Sequence, residues 1–128
     1  MNQNDPKNRY AGFQERCARF GGRILVLMGN LPVGRIRTTI ADQLARSATA
    51  IGANACEARS AESRADFVHK MQVALKEARE AYHWLSVARE CNAGNIEAIM
   101  ELQNECDELI AVMVASVRTA KRNAIRES

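Results

Sequence analysis

Ile36, Ile40, Leu44, Ala48, Ile51 and Ala55 recur at steps of four, four, four, three and four. That spacing places them on one clean face of an α-helix beginning near Gly34 or Arg35. Three other segments carry the same period. Phe13, Cys17, Phe20, Ile24, Leu27 and Met28 predict a helix from about Lys7 to Met28. Phe67, Met71, Ala74, Leu75, Ala78, Tyr82, Leu85 and Ala88 predict a third, and Ile96, Ile99, Leu102, Cys106, Leu109, Ile110, Met113 and Val117 a fourth. Breakers separate them: "GNLPVG" at 29–34 and "NAGN" at 92–95, where Gly94 is available for a left-handed helix end. Gly21-Gly22 weakens the first helix and marks a kink or a close helix contact.

Four long amphipathic helices with mostly short connections, in one domain spanning 1–128, predict an all-α, antiparallel up-down-up-down four-helix bundle. Aromatic residues, at 5 %, are too few for a typical all-β core, and only two prolines interrupt the chain. Residues 1–7 are expected to be flexible, and the basic tail 118–128 to fray. Leu25, Val26, Val73, Trp84, Val87 and Val112 do not all fit a narrow inward stripe, which points to either an oligomer interface or a wide core face.

No run of residues approaches a membrane span, and the first ten residues lack the apolar centre of a signal peptide. Cys17, Cys56, Cys91 and Cys106 lie far apart with no C-x-x-C pair. They read as structural thiols of a reduced, cytoplasmic protein rather than as a zinc site. Glu80 and His83 match a Glu-x-x-His pattern used by di-iron bundles, but the other histidine, His69, lies on the same helix about 21 Å away at 1.5 Å per residue, so the two cannot share a cluster. No nucleophile elbow or phosphate-binding glycine loop is present. No catalytic residue, metal or cofactor is therefore expected.

Charge is the remaining signal. The chain's net charge is +3, yet residues 93–117 carry five acids and no base, while residues 118–128 carry four bases and one acid. Arg9, Arg16, Arg19 and Arg23 align on one face of the first helix, Arg35, Arg37 and Arg46 add charge to the second, and Arg118, Lys121, Arg122 and Arg126 sit in the tail. Such stripes suit contact with nucleic-acid phosphates. The alternative use is pairing with the acidic fourth helix, within or between subunits.

The turn between the second and third helices is polar. Ser63 and Asp66 fit a capping box, Asn54 and Glu57 are placed to bond free backbone groups around the corner, and Arg46 is placed to pair with Glu77 or Glu80. The stretch from Gln43 to Ala88 also carries Arg46-Ser47-Ala48, Ile51, Ala53-Asn54, Glu57-Ala58, Ser63, Asp66-Phe67, Ala74-Leu75-Lys76-Glu77-Ala78, Glu80 and Trp84-Leu85. In this set it resembles the bacterial four-helix-bundle family of ribosomal RNA intervening sequences, related to the accessory variability determinants of diversity-generating retroelements. Many relatives have Gly where this chain has Ala58. The resemblance implies a homopentamer, no enzyme activity, and, for the retroelement proteins, a basic surface that binds RNA or DNA and a reverse transcriptase. The expected function is thus a non-enzymatic oligomeric bundle associated with nucleic acid; the alternative is a structural or protein-interaction scaffold.

Overall fold

The computed structural model of the chain describes residues 6–127, with side chains described from Tyr10 onward. The expectation of a flexible segment at 1–7 falls mostly outside the described residues. Four helices follow in order: α1 Pro6–Gly29, α2 Arg35–Arg59, α3 Arg64–Glu90 and α4 Ile96–Glu127. No strand occurs among the described residues.

Local chemistry sets the helix ends. Pro6 opens α1, where its missing N–H costs nothing. Ser63 caps α3 by accepting from the Asp66 N–H at 3.0 Å, half of the expected capping box. At the far end of α3 the left-handed residue is Asn92 (φ 53°), the position just past the C-cap. The Ala93 N–H then donates to the Ala88 carbonyl at 2.8 Å, and the Asn92 N–H to Arg89 at 3.2 Å, the two bonds of a Schellman end. Gly94, assigned that role from the sequence, takes φ 101° two positions later, inside the loop. Asn95 then caps α4, accepting from the Ala98 N–H at 3.2 Å.

The predicted stripes of α1 and α4 enter the core almost whole. Phe20, Ile24, Ile99, Leu109 and Met113 have no more than 1 % of their surface exposed. Six predicted stripe positions fall short of full burial: Phe67, Leu75, Tyr82, Ile96 and Ile110 are half-buried, and Ile36 is exposed. Ile36 stands 51 % exposed in the first turn of α2, beyond the reach of the other helices' stripes, and Tyr82 is only half-buried because Ala81 takes the inward position beside it. The inward faces of α2 and α3 are rich in alanine (Ala48, Ala55, Ala58, Ala74, Ala78, Ala81, Ala88), and these two helices pack most closely of any pair. Small side chains let the backbones approach, and dispersion contacts replace bulk.

Along the α1–α2 seam, partners are met in reverse order: Arg59 donates to Gln14, a Cβ built on Gly52 would lie 3.4 Å from the Cys17 Cβ, and one built on Gly21 would lie 3.6 Å from Thr49. Gly21 is thus a close-contact position, and α1 runs through Gly21-Gly22 without a break. The α3–α4 seam holds a buried polar chain. The Gln103 amide donates to the Ser86 hydroxyl at 3.1 Å, and Ser86 donates to the Tyr82 carbonyl. The Cys106 thiol points at the Ala78 carbonyl at 3.2 Å. α1 and α4 approach least closely, and the diagonal pairs α1–α3 and α2–α4 have no close backbone approach among the described residues.

The tail departs from expectation. α4 stays helical to Glu127, which Arg64 of α3 grips with two contacts of 2.7 and 2.8 Å. That clasp joins the last turn of α4 to the first turn of α3, and residues 118–127 are a helical extension of α4.

Candidate functional site

The corner residues singled out from the sequence do not share a turn. α2 continues to Arg59, and only Ser60–Ser63 lie between the helices. Asn54 lies inside α2 and donates back to the Ala50 carbonyl at 2.9 Å, satisfying no free turn group. Glu57 bridges the corner by pairing with Lys70 of α3 at 2.9 Å. Ser63 makes the cap, and Asp66 supplies the capped N–H and an acid in the first turn. All four positions are thereby engaged with the chain itself.

The arginine candidates divide into two groups. Arg16 contacts Glu105 at 2.6 Å and also reaches Glu108; Arg23 reaches Glu101 at 3.1 Å. The acidic face of α4 therefore meets the basic face of α1, as one of the two expected uses required. Arg46 pairs with Glu80 at 2.6 Å and Glu77 at 3.5 Å, across α2 and α3. Arg37 donates to the Leu31 carbonyl at 3.3 Å, holding the α1–α2 loop. The Arg9 side chain lies outside the described residues.

The second group is free. Arg19, Arg35, Arg118, Lys121 and Arg122 are exposed and pair with no carboxylate among the described residues. Arg126 belongs with them, as do Lys76 and Arg79 on α3, which the sequence did not single out as cation candidates. Their neighbours Glu77 and Glu80 are taken by Arg46 of α2. The expected pairing of Arg46 with Glu77 or Glu80 is thus made with both.

Arg19 and Arg23 also line an open cleft of about 680 Å³ between α1 and α4, with Val26, Asn30, Asn95 and Ala98. Nearby surface is apolar: Leu25 is 51 % and Val26 66 % exposed, so neither belongs to a widened core face, and Val33 and Ile36 are exposed in the turn and the start of α2. Val73, Trp84, Val87 and Val112 are half-buried and belong to the edge of the core.

Two thiols are sequestered and two are not. Cys17 and Cys106 are buried, and burial pushes each pKa up to about 12; Arg16 pulls that of Cys17 down and Glu105 adds to the rise for both. Cys56 and Cys91 are exposed, the latter because it is the C-cap of α3. Glu80 is held by Arg46, and His83 is exposed with its ring edge-on to Trp84 at 5.3 Å between centroids. No group of three or more His, Cys, Asp or Glu converges as a metal site among the described residues. No helix is long and apolar enough to cross a membrane among those residues.

The family model described as 23S rRNA-intervening sequence protein matches residues 14–115. Among solved structures, the chain is similar to a crystal structure of a protein with unknown function from the S23 ribosomal protein family of Bacteroides thetaiotaomicron. The two are 29 % identical with a TM-score of 0.73, over 82 % of this chain and 97 % of that one. No curated protein matches.

Proposed function

The chain belongs to the 23S rRNA-intervening sequence protein family, and on that premise we propose that it is a non-enzymatic, nucleic-acid-associated bundle that binds RNA or DNA phosphates through its unpaired cations. The observation that carries this reading is the division of the arginines. Arg16, Arg23 and Arg46 have intramolecular carboxylate partners, whereas Arg19, Arg35, Arg118, Lys121 and Arg122 have none among the described residues. Charges held in the open without a partner are what a polyanion meets on approach. A binding role rather than catalysis is supported by what engages the reactive groups: burial holds Cys17 and Cys106 as thiols, and Arg46 holds Glu80.

The reverse-order pairing along each seam supports an antiparallel up-down-up-down bundle. We further propose assembly as a homopentamer through the outer side of α1, because Leu25, Val26, Val33 and Ile36 leave apolar surface at one end of the protomer. A cytoplasmic setting fits the unbridged Cys56 and Cys91.

The test is fluorescence anisotropy with a labelled structured RNA and a duplex DNA at low and physiological salt, together with native mass. Binding that weakens steeply with salt is expected. No binding even at low salt would overturn the reading in favour of the scaffold alternative, which the internal ion pairs of Arg16, Arg23 and Arg46 favour. Native mass of a monomer would overturn the pentamer.

A further inference from the structure

We infer that the contact element is the C-terminal extension of α4, and that it holds the phosphate backbone of a double-helical nucleic acid without reading its bases. The inference rests on the nucleic-acid reading above and assigns it to one helix.

α4 has 32 residues, and its last three turns carry Arg118, Lys121, Arg122 and Arg126. At about 100° and 1.5 Å per residue these four fall within roughly 140° of arc along about 12 Å of helix. All four are exposed and unpaired among the described residues. The one acid described in the segment, Glu127, is turned aside and bound by Arg64. The cationic face therefore faces solvent without a counter-charge of its own. By contrast, the arginine stripe of α1, which looks denser in the sequence, has surrendered Arg16 and Arg23 to α4.

A simpler role exists for cations near a helix C-terminus, which is to complement the helix dipole. That effect fades within the last turn. It accounts for Arg126 but not for Arg118, Lys121 and Arg122, which begin nine residues before the helix ends at Glu127.

The ligand class follows from what accompanies the charges. Single strands are held by aromatic rings on which bases stack, and residues 112–128 contain no Phe, Tyr, Trp or His. A membrane-surface helix needs bulky apolar residues opposite its charges. Here Ala120 and Ala124 instead line a groove against Ala65 and Val68 of α3. A rigid charged rod with small residues behind it suits a regular phosphate lattice, in either an RNA or a DNA duplex.

The test uses the full chain and four probes: a labelled RNA duplex, a DNA duplex of the same sequence, a single strand of equal length, and vesicles containing anionic lipid. The variant is R118A/K121A/R122A, and R59A/K70A, whose cations are engaged by Gln14 and Glu57, is the charge-removal control. Circular dichroism checks that each keeps its helix. The expected result is duplex affinity lowered on the order of tenfold in the tail variant, with the salt slope reduced by roughly 1 for each cation removed, and the control unchanged. Should the triple variant not fold, Arg118→Glu alone, at an exposed site, gives the same direction. Wild-type binding that survives in the tail variant overturns this inference and leaves the broader reading standing. Absence of all nucleic-acid binding overturns both. Single strands bound as tightly as duplexes overturn the double-helix assignment, and vesicle binding in place of duplex binding overturns the ligand class.

Discussion

At the scale of single residues, burial decides which thiols are chemically present. Cys17 and Cys106 stay protonated far above neutral pH, since burial raises both to about 12. Under native conditions a maleimide should label Cys56 and Cys91 promptly and the other pair only after denaturation; mass spectrometry of the timed reaction reads this. The raised values also link stability to pH. The buried thiols favour the folded state fully below their ordinary 9.0, and that contribution is lost as pH rises from 9.0 toward 12. Thermal melts in that window should fall, and fall less in Cys17→Ala/Cys106→Ala. Arg16 offers a second check. The Glu105 Oε1 it contacts is buried and has no other hydrogen-bond partner, so Arg16→Ala should destabilise the fold by about 1–3 kcal/mol in urea unfolding. None of this pairing is visible as spacing within a segment, because Arg16 and Glu108 are 92 residues apart. What the sequence does supply is the opposition of a basic stripe on α1 and an acidic one on α4.

At the scale of elements, the helices were legible and their ends less so. Apolar period gives α1 within a residue at either end, since Pro6 and Gly29 act locally. The Ser63 cap was equally readable, and Ser63→Ala or Asn95→Ala should each cost about 1 kcal/mol by denaturant titration. Asn92 was not readable as the left-handed residue, because Gly94 two positions later offers the same freedom, and only packing chooses between them. A Cβ on Gly94 would come within 3.2 Å of Leu31. Gly94→Ala should therefore destabilise, by strain at φ 101° as well as by crowding. Gly12→Ala, with open space around it on α1, should stabilise by about 0.5–1 kcal/mol. The helical form of the tail was hard to read for a related reason. Its own composition is polar and fray-prone, and the Arg64–Glu127 clasp that holds it comes from another helix.

At the scale of the whole molecule, the seams differ in kind. α2 and α3 meet through alanines at close range, and Leu85 of α3 is fully buried. Leu85→Ala should cost about 2–5 kcal/mol, through lost burial and the cavity left behind. α1 and α4 meet less closely, and Arg16 and Arg23 tie their rim. In native-state hydrogen exchange, α1 amides should lose protection before those of α2 and α3, and 1 M salt, where the screening length is about 3 Å, should widen the gap. That seam also governs assembly of the fold in time. Every other seam joins helices consecutive in the chain, so each can zip as a local hairpin, whereas α1 finds α4 only after nearly the full contour has been looped. Circular permutation that joins the outer ends of α1 and α4 and opens the chain at Ser60–Ser63 would trade the slowest encounter for a local one, and place the long search between the two helices whose alanine faces fit most closely.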